Sequence, residues 1–421
     1  MRNIFDQYIQ PENRLTHALL SCFEADRVLL QRFVKWSAGR KVVGRQLDIL
    51  EQSLPGDPPD LSDEEVQKRG LPDGCIVDKS GWALLIESKF QAAVTADQIR
   101  RHVRTAGRRG LTDCNVLILT VKPVRQRMAR GIFVRQWTEV YDWLQREARR
   151  SPWARICRDY LEVAEAREAA NGYLDKGTLT VFSGVPFGKD EPYTYPQAKR
   201  LLGLLRDELR HDRRLTTRLG VDPESSGRGA ITGRSARMVW DFIGLKQARG
   251  AKQFTQYPHL TLGIWDDRLE AYVTVPNGIC SRLRNNVLGE NYEDFEDMIG
   301  GITSALMTVV RSAPGAVPQV VIVQRHYATQ RAQGTRDCSL RFDPRTAVEV
   351  KPKDRGRVKV QPQWLRASYD ALRSRRSNLQ FQIGVNFPYD ACPTVATRKI
   401  IRACADVWLA CRPMIRAATE E

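Results

Sequence analysis

Asp73, Glu87 and Lys89 are the residues whose types and spacing can do chemistry together. They stand in Leu71-Pro72-Asp73-Gly74 and, one short hairpin later, in Leu84-Leu85-Ile86-Glu87-Ser88-Lys89-Phe90. Cys75-Ile76-Val77-Asp78 and Trp82-Ala83-Leu84-Leu85-Ile86, separated by Lys79-Ser80-Gly81, read as two strands joined by a three-residue loop containing Gly. If Asp78 pairs with Trp82, then Ile76 faces Leu84, Gly74 faces Ile86, and Asp73 faces Glu87. Directly opposed residues hold their Cβ atoms roughly 4.5–5.5 Å apart, and like charges so placed repel. A divalent cation would relieve that repulsion. Oxygen ligands without clustered His or Cys suit a hard ion, Mg²⁺ or Mn²⁺, which stabilises charge on a phosphodiester transition state and activates a water.

The elements needed to position these groups are legible around them. Period-two alternation puts Ala83, Leu85, Glu87 and Lys89 on one strand face and Trp82, Leu84, Ile86 and Ser88 on the other. Both faces begin apolar and turn polar only at the strand end, so a central strand opening into a cleft is expected. Upstream, Leu15, Ala18, Leu19, Cys22 and Phe23 recur at helical spacing in a segment that begins near Pro11. Downstream, Thr95-Ala96-Asp97-Gln98 opens a helix running to about Ala106, and Thr95 with Gln98 fits a capping box. Asn115 to Val121 and Ile132 to Val134 read as buried strands, and Trp137 to Leu144 as a helix. Pro-Asp-Gly alone is a common turn signal; agreement of register, spacing and the intervening apolar strand carries the chemical reading.

Pro72-Asp73 followed by Glu87-Ser88-Lys89 resembles the motif of the PD-(D/E)XK nuclease superfamily, over about the first 150 to 170 residues. The resemblance implies a restriction-endonuclease-like α/β sandwich with a mixed central sheet. It implies Asp73 and Glu87 as metal ligands and Lys89 as the amine that orients or polarises the attacking water. Glu12 matches the glutamate that many members carry on the first helix and extend to the metal, although a Glu in a first turn also complements the helix dipole. Gln98 matches a glutamine that often contacts the active site. Where the superfamily often has Tyr four residues further on, this chain has His102.

The chain of 421 residues, 42% hydrophobic, is long enough to bury two sizeable cores. Its nine cysteines form no CxxC pair, and residues such as Cys22, Cys404 and Cys411 sit in apolar runs, so reduced thiols and a cytoplasmic location are expected. Met1 to Asp6 lacks a signal-peptide apolar region and no run approaches 18 apolar residues; neither secretion nor membrane spanning is expected. A net charge of +17 favours a polyanionic partner. Residues 1 to 170 hold 28 Lys and Arg against 23 Asp and Glu, a net +5, which leaves +12 for the rest. Arg100, Arg101, Arg104, Arg108 and Arg109 crowd the helix after Gln98, and the first three are expected to meet nucleic-acid phosphates.

A domain boundary is expected between Ser151 and Gly177, giving a nuclease-like domain 1–170 and a basic domain 171–421, with a closing helix from Trp153 to Ala170. The second domain mixes helices (197–210, 294–311, 394–415) with strands (260–265, 269–275, 320–324, 381–387), an α+β pattern. Ser225 to Ser235 is glycine-rich but lacks GK[ST] and follows no clear strand, favouring a connection over a phosphate cradle. Lys351 to Arg376 is basic with Trp364 and Tyr369 interleaved; Arg355, Arg357 and Lys359 are expected to contact nucleic acid. His326-Tyr327 is read as structural. The expected whole is a cytoplasmic, Mg²⁺-dependent endonuclease acting on DNA in prokaryotic defence, with a C-terminal targeting or sensing domain. A sequence-specific restriction endonuclease and a nucleic-acid-binding scaffold with an inactive site are the alternatives. RNA as substrate, and a second copy or a defence-system protein as partner, stay open.

Overall fold

Asp78 organises the hairpin: its Oδ1 accepts from the amides of Ser80 at 2.8 Å and Trp82 at 3.2 Å. Strands β2 (Gly74–Asp78) and β3 (Trp82–Lys89) therefore pair antiparallel, with Ile76 opposite Leu84 and Gly74 opposite Ile86. β1 (Leu47–Glu51) pairs antiparallel with β2, while β4 (Asp113–Thr120) and β5 (Ile132–Gln136) run parallel to β3. The order is β1-β2-β3-β4-β5, so β3 is central in a mixed sheet. The computed structural model describes residues 4–39, 46–57, 70–90, 95–122, 124, 128–171, 174, 178–225, 237–248, 254–326, 334–374 and 379–419. By its contacts the chain divides into two units, Met1–Val181 and Phe182–Glu421.

In the first unit the two faces of β3 feed two cores. Trp82, Leu84 and Ile86 join one cluster with helices α1 (Pro11–Ala25), α2 (Arg27–Ala38), α4 (Trp137–Glu147) and α5 (Pro152–Ala170). Ala83 and Leu85 join another with Ile99 and Ala106 of α3 (Ala96–Arg108). Helices on both faces of a mixed sheet make this unit α/β. A Cβ built on Gly74 would stand 2.8 Å from Leu20 Cδ1, so glycine there lets α1 approach the strand that begins beside Asp73. The unit continues to Val181, past residue 170, because the buried Glu165 carboxylate accepts from the Leu179 amide at 2.7 Å and from the Thr180 amide and hydroxyl at 2.8 Å each.

The second unit is a six-stranded antiparallel sheet with helices. Its strands are β6 (Met238–Ile243), β7 (His259–Trp265), β8 (Arg268–Val275), β9 (Val317–His326), β10 (Thr335–Phe342) and β11 (Leu379–Pro388), in the order β10-β9-β11-β8-β7-β6. Leu262, Val273, Ile383 and Val385 pack with Leu202 of α6 (Tyr195–Arg210), Leu215 of α7 (Arg213–Arg218), Leu283 of α8 (Ser281–Leu288) and Ile299 of α9 (Tyr292–Ser312). After the short α10 (Pro352–Arg355), Leu365 of α11 (Gln363–Arg373) and Trp408 of α12 (Lys399–Ala410) belong to the same cluster. The helix expected over 394–415 is broken. A 3₁₀ turn (Pro393–Ala396) precedes α12, and α13 (Arg412–Ala417) follows a stop at Cys411, where Pro413 has no amide with which to continue α12.

Among the described residues no helix is long and apolar enough to cross a membrane. The nine cysteines are free thiols. Residues 226–235 of the glycine-rich stretch, Tyr327, Arg375 and Arg376 lie outside the described residues.

Candidate active site

The open end of β3 is where chemistry-bearing side chains gather. They line a cleft bounded by Gln10, Glu12, Asn13, Gln52, Gly70, Leu71, Asp73, Glu87, Ser88, Lys89, Gln98, Arg101 and His102. Five short segments supply them: the start of α1, the end of β1, the run into β2, the end of β3, and one face of α3.

The ladder ends at Gly74 opposite Ile86, and Asp73 bends out of it. The two motif halves are nevertheless joined. Asp73 Oδ2 accepts from the Ser88 amide at 2.7 Å, and the Asp73 carbonyl accepts from the Gln52 amide at 3.2 Å. Glu87 is 2% exposed and saturated by neighbours: its Oε1 meets Lys89 Nζ at 2.6 Å and the Gln98 side-chain amide, and its Oε2 lies 3.0 Å from His102 Nε2. Glu12 Oε1 accepts from the Phe90 amide at 3.0 Å, tying α1 to the chain leaving β3.

These contacts set the charges. Burial pushes the Asp73 carboxyl up and the nearby Glu87 charge pushes further, to about 7, against the Ser88 amide and Lys89. Burial also raises Glu87, but His102 and Lys89 outweigh it and hold this carboxyl below its ordinary value. The Lys89 amine is depressed by burial and raised more by Glu87, Asp73 and Glu12, so it remains an ammonium at neutral pH. The result is an acidic pair, one member costly to ionise, beside a fixed cation.

The cleft brings together Glu12, Asp73, Glu87, Lys89, Gln98 and Arg101. In the Thr95 cap the hydroxyl accepts from the Gln98 amide at 3.2 Å, but the Gln98 side chain does not close a capping box; it turns to Glu87. Arg101 crosses Gly70, at which φ is +67° and an added Cβ would be 2.7 Å from the Arg101 stem. Arg100 and Arg104 do not line the cleft; both are exposed, and Arg100 pairs with Asp97 on its own helix. Arg109 pairs with Asp57 at 2.6 Å. In the second unit Arg357 and Lys359 are exposed and Arg355 is half-buried. The interleaved Tyr369 cannot stack on a base, because it is 3% exposed and packs against Phe295. Trp364 is half-exposed and donates to Gln361 at 3.0 Å.

Sequence reasoning gave His102 little weight, yet it is buried in the cleft with Nδ1 donating to the Gly70 carbonyl at 2.8 Å. Its signal was present: His102 follows Gln98 by one helical turn, so both face the same strand end. Among the described residues no group of three or more His, Cys, Asp or Glu side chains is already disposed to hold a metal ion. A Mg²⁺-like ion does not require one, since one or two carboxylates commonly suffice when waters and substrate phosphate complete the shell. Asp73 and Glu87, mutually repelling at the end of the strand, fit such an ion. Compared with protein-family models and curated proteins, the chain matches none, so the resemblance to PD-(D/E)XK nucleases stands on these residues alone.

Proposed function

We propose that this chain is a divalent-metal-dependent nuclease that hydrolyses DNA phosphodiesters, with a restriction-endonuclease-like first unit. The observation that carries the reading is the convergence of Asp73, Glu87 and Lys89 at the open end of a central strand, in a cleft that also holds Arg101. Asp73 and Glu87 would hold the ion, which when bound supplies charge stabilisation and a more acidic water. Lys89, kept protonated by its carboxylate neighbours, is a donor that orients the attacking water or the phosphoryl oxygen and cannot serve as the resting base. Gln98 holds the Glu87 carboxylate and the Ser88 amide holds that of Asp73. Arg101, its stem laid across Gly70, offers a fork for phosphate. The basic second unit, with +12 of the net charge, supports nucleic-acid affinity, and defence against foreign DNA is the setting we propose. The test is incubation of the purified chain with supercoiled and linear DNA, each with Mg²⁺ or EDTA. Conversion of closed circles only with metal supports an endonuclease; loss of linear DNA alone makes it an exonuclease.

A second reading, a nucleic-acid-binding scaffold without activity, draws on the saturation of Glu87 by Lys89, Gln98 and His102. DNA binding without metal-dependent cleavage of DNA or RNA would favour it.

A further inference from the structure

Among the described residues Gln52 is the one other than glycine held in the left-handed backbone region, with φ at +46°. Glycine adopts that region freely, and Asn or Asp offset its cost by bonding locally; a glutamine has neither relief. Such a residue persists where its surroundings over-determine it, and it is a mark of functional sites. Both conditions are met here. Glu51, the residue before it, is pinned to α1 by the His17 ring, whose Nδ1 lies 2.8 Å from Glu51 Oε2. Gln52 itself donates its backbone amide to the Asp73 carbonyl at 3.2 Å. The turn out of β1 is thereby tied to the first helix on one side and to the acidic pair on the other, and it sets Gln52 in the wall of the cleft.

Asn13, in the first turn of α1, lines the same cleft and is 7% exposed. Among the described residues neither the Asn13 nor the Gln52 side-chain amide has a hydrogen-bond partner. A buried amide without partners forfeits what water would supply, and a ligand in the cleft would restore it. The residue type also suits the place. Lys89 and Arg101 bring charge for phosphate oxygens, whereas an amide offers a donor and an acceptor without charge, so the carboxylates of Glu12, Asp73 and Glu87 do not capture it in an ion pair.

We propose that Gln52 is a substrate-contacting residue: its side-chain amide, with that of Asn13, hydrogen-bonds the DNA strand beside the scissile phosphate. The proposal rests on reading this cleft as the nuclease's DNA site, and it adds contacts that carry no charge. The left-handed backbone is what holds the Gln52 amide toward the strand.

Fluorescence anisotropy of a labelled DNA duplex with the full chain, in EDTA and in Ca²⁺ as a hard ion for an oxygen site, tests this beside urea unfolding of the same samples. Gln52→Gly and Gln52→Ala should each weaken binding about 3- to 10-fold, the loss expected for a neutral hydrogen bond. The slope of log affinity against log salt should stay at the parent's value, because no cation is removed. Gln52→Gly should unfold at a urea midpoint no lower than the parent's and above that of Gln52→Ala, since glycine alone is at ease at this φ. Weakened binding with retained stability is what a merely structural role does not give. Parent-like affinity in both variants overturns the proposal, and so does a Gln52→Gly midpoint below the parent's, which would make the side chain a support of the fold. A parent that shows this Gln52-dependent binding yet cleaves no DNA with Mg²⁺ or Mn²⁺ overturns the nuclease reading alone; a parent that binds no DNA under either condition overturns both.

Discussion

The Ser88 amide donates to Asp73 Oδ2 at 2.7 Å, so the residue between Glu87 and Lys89 is the one that fixes the other carboxylate. The backbone of β3 therefore aligns both motif halves. Glu87→Ala, Lys89→Ala and Asp73→Ala should each lower metal-dependent cleavage at least about 10²-fold, because each removes a group acting on the transition state. Circular dichroism should show the fold intact. Parent-like cleavage by all three variants would remove this site from consideration.

The same pair makes the empty protein sensitive to pH. Asp73 ionises at about 7 in the folded chain, against 3.8 ordinarily, so folding holds a proton that the unfolded chain has released. The resulting penalty is absent below about pH 4 and fully developed above about pH 7. Without metal, Asp73→Asn should therefore be more stable than the parent at pH 8, on the order of 2 kcal/mol by urea unfolding, and equal to it near pH 4. Added Mg²⁺ or Mn²⁺ should stabilise the parent more than the variant.

His259 reports on the second unit by itself. It is buried against Phe242 and Phe254, and burial pulls its imidazole down to about 4, with the Tyr257 carbonyl opposing. The unfolded chain takes up a proton near 6.5 that the folded unit refuses, so stability is complete above about 6.5 and falls as pH drops toward 4, by about 3 kcal/mol in all. His259→Gln should flatten that fall, measured as the difference between parent and variant in unfolding midpoint at pH 4.5 and 7.5.

Arg101 and Arg100 are neighbours with different expected effects. Arg101→Ala should weaken cleavage at limiting DNA at least about 10-fold, while Arg100→Ala, exposed and outside the cleft, should change it less than about 3-fold. Equal losses would mean that both act only through net charge.

Neutralising Arg355, Arg357 and Lys359 together should lower DNA affinity and flatten its salt dependence by roughly one unit for each phosphate no longer met by a cation. Cleavage at saturating DNA should change little. Unchanged affinity across a salt series would assign this stretch to solvent.

The hairpin, α1, α3 and β4 were legible because turn chemistry and periodicity agree there, and the register of Gly74 with Ile86 followed from one turn; β5 was found as a strand but is a half-buried edge and not the buried strand expected. β1 and β10 were not. β1 is a half-exposed edge of five residues, and most of β10 is exposed, so neither shows an apolar alternation. In β6 the alternation is disguised by Asp241, which is fully buried and paired with Arg206 at 2.6 Å. The trio was visible in sequence. Gln98 was named too, from the resemblance, and it meets Glu87; the anchoring of His102 on the Gly70 carbonyl needed the fold, because it joins a helix to a loop remote in the chain.

The strand order of the second unit also sets a timetable. β11 lies between β8 and β9, with Phe381 opposite both Val275 and Ile322, although more than a hundred residues separate it from the first of these. A central strand synthesised after every other strand leaves β8 and β9 with one unpaired side each until it arrives. Closing such long loops is slow, so the second unit should acquire its fold in one late step, well after the first unit has been free to form on the ribosome.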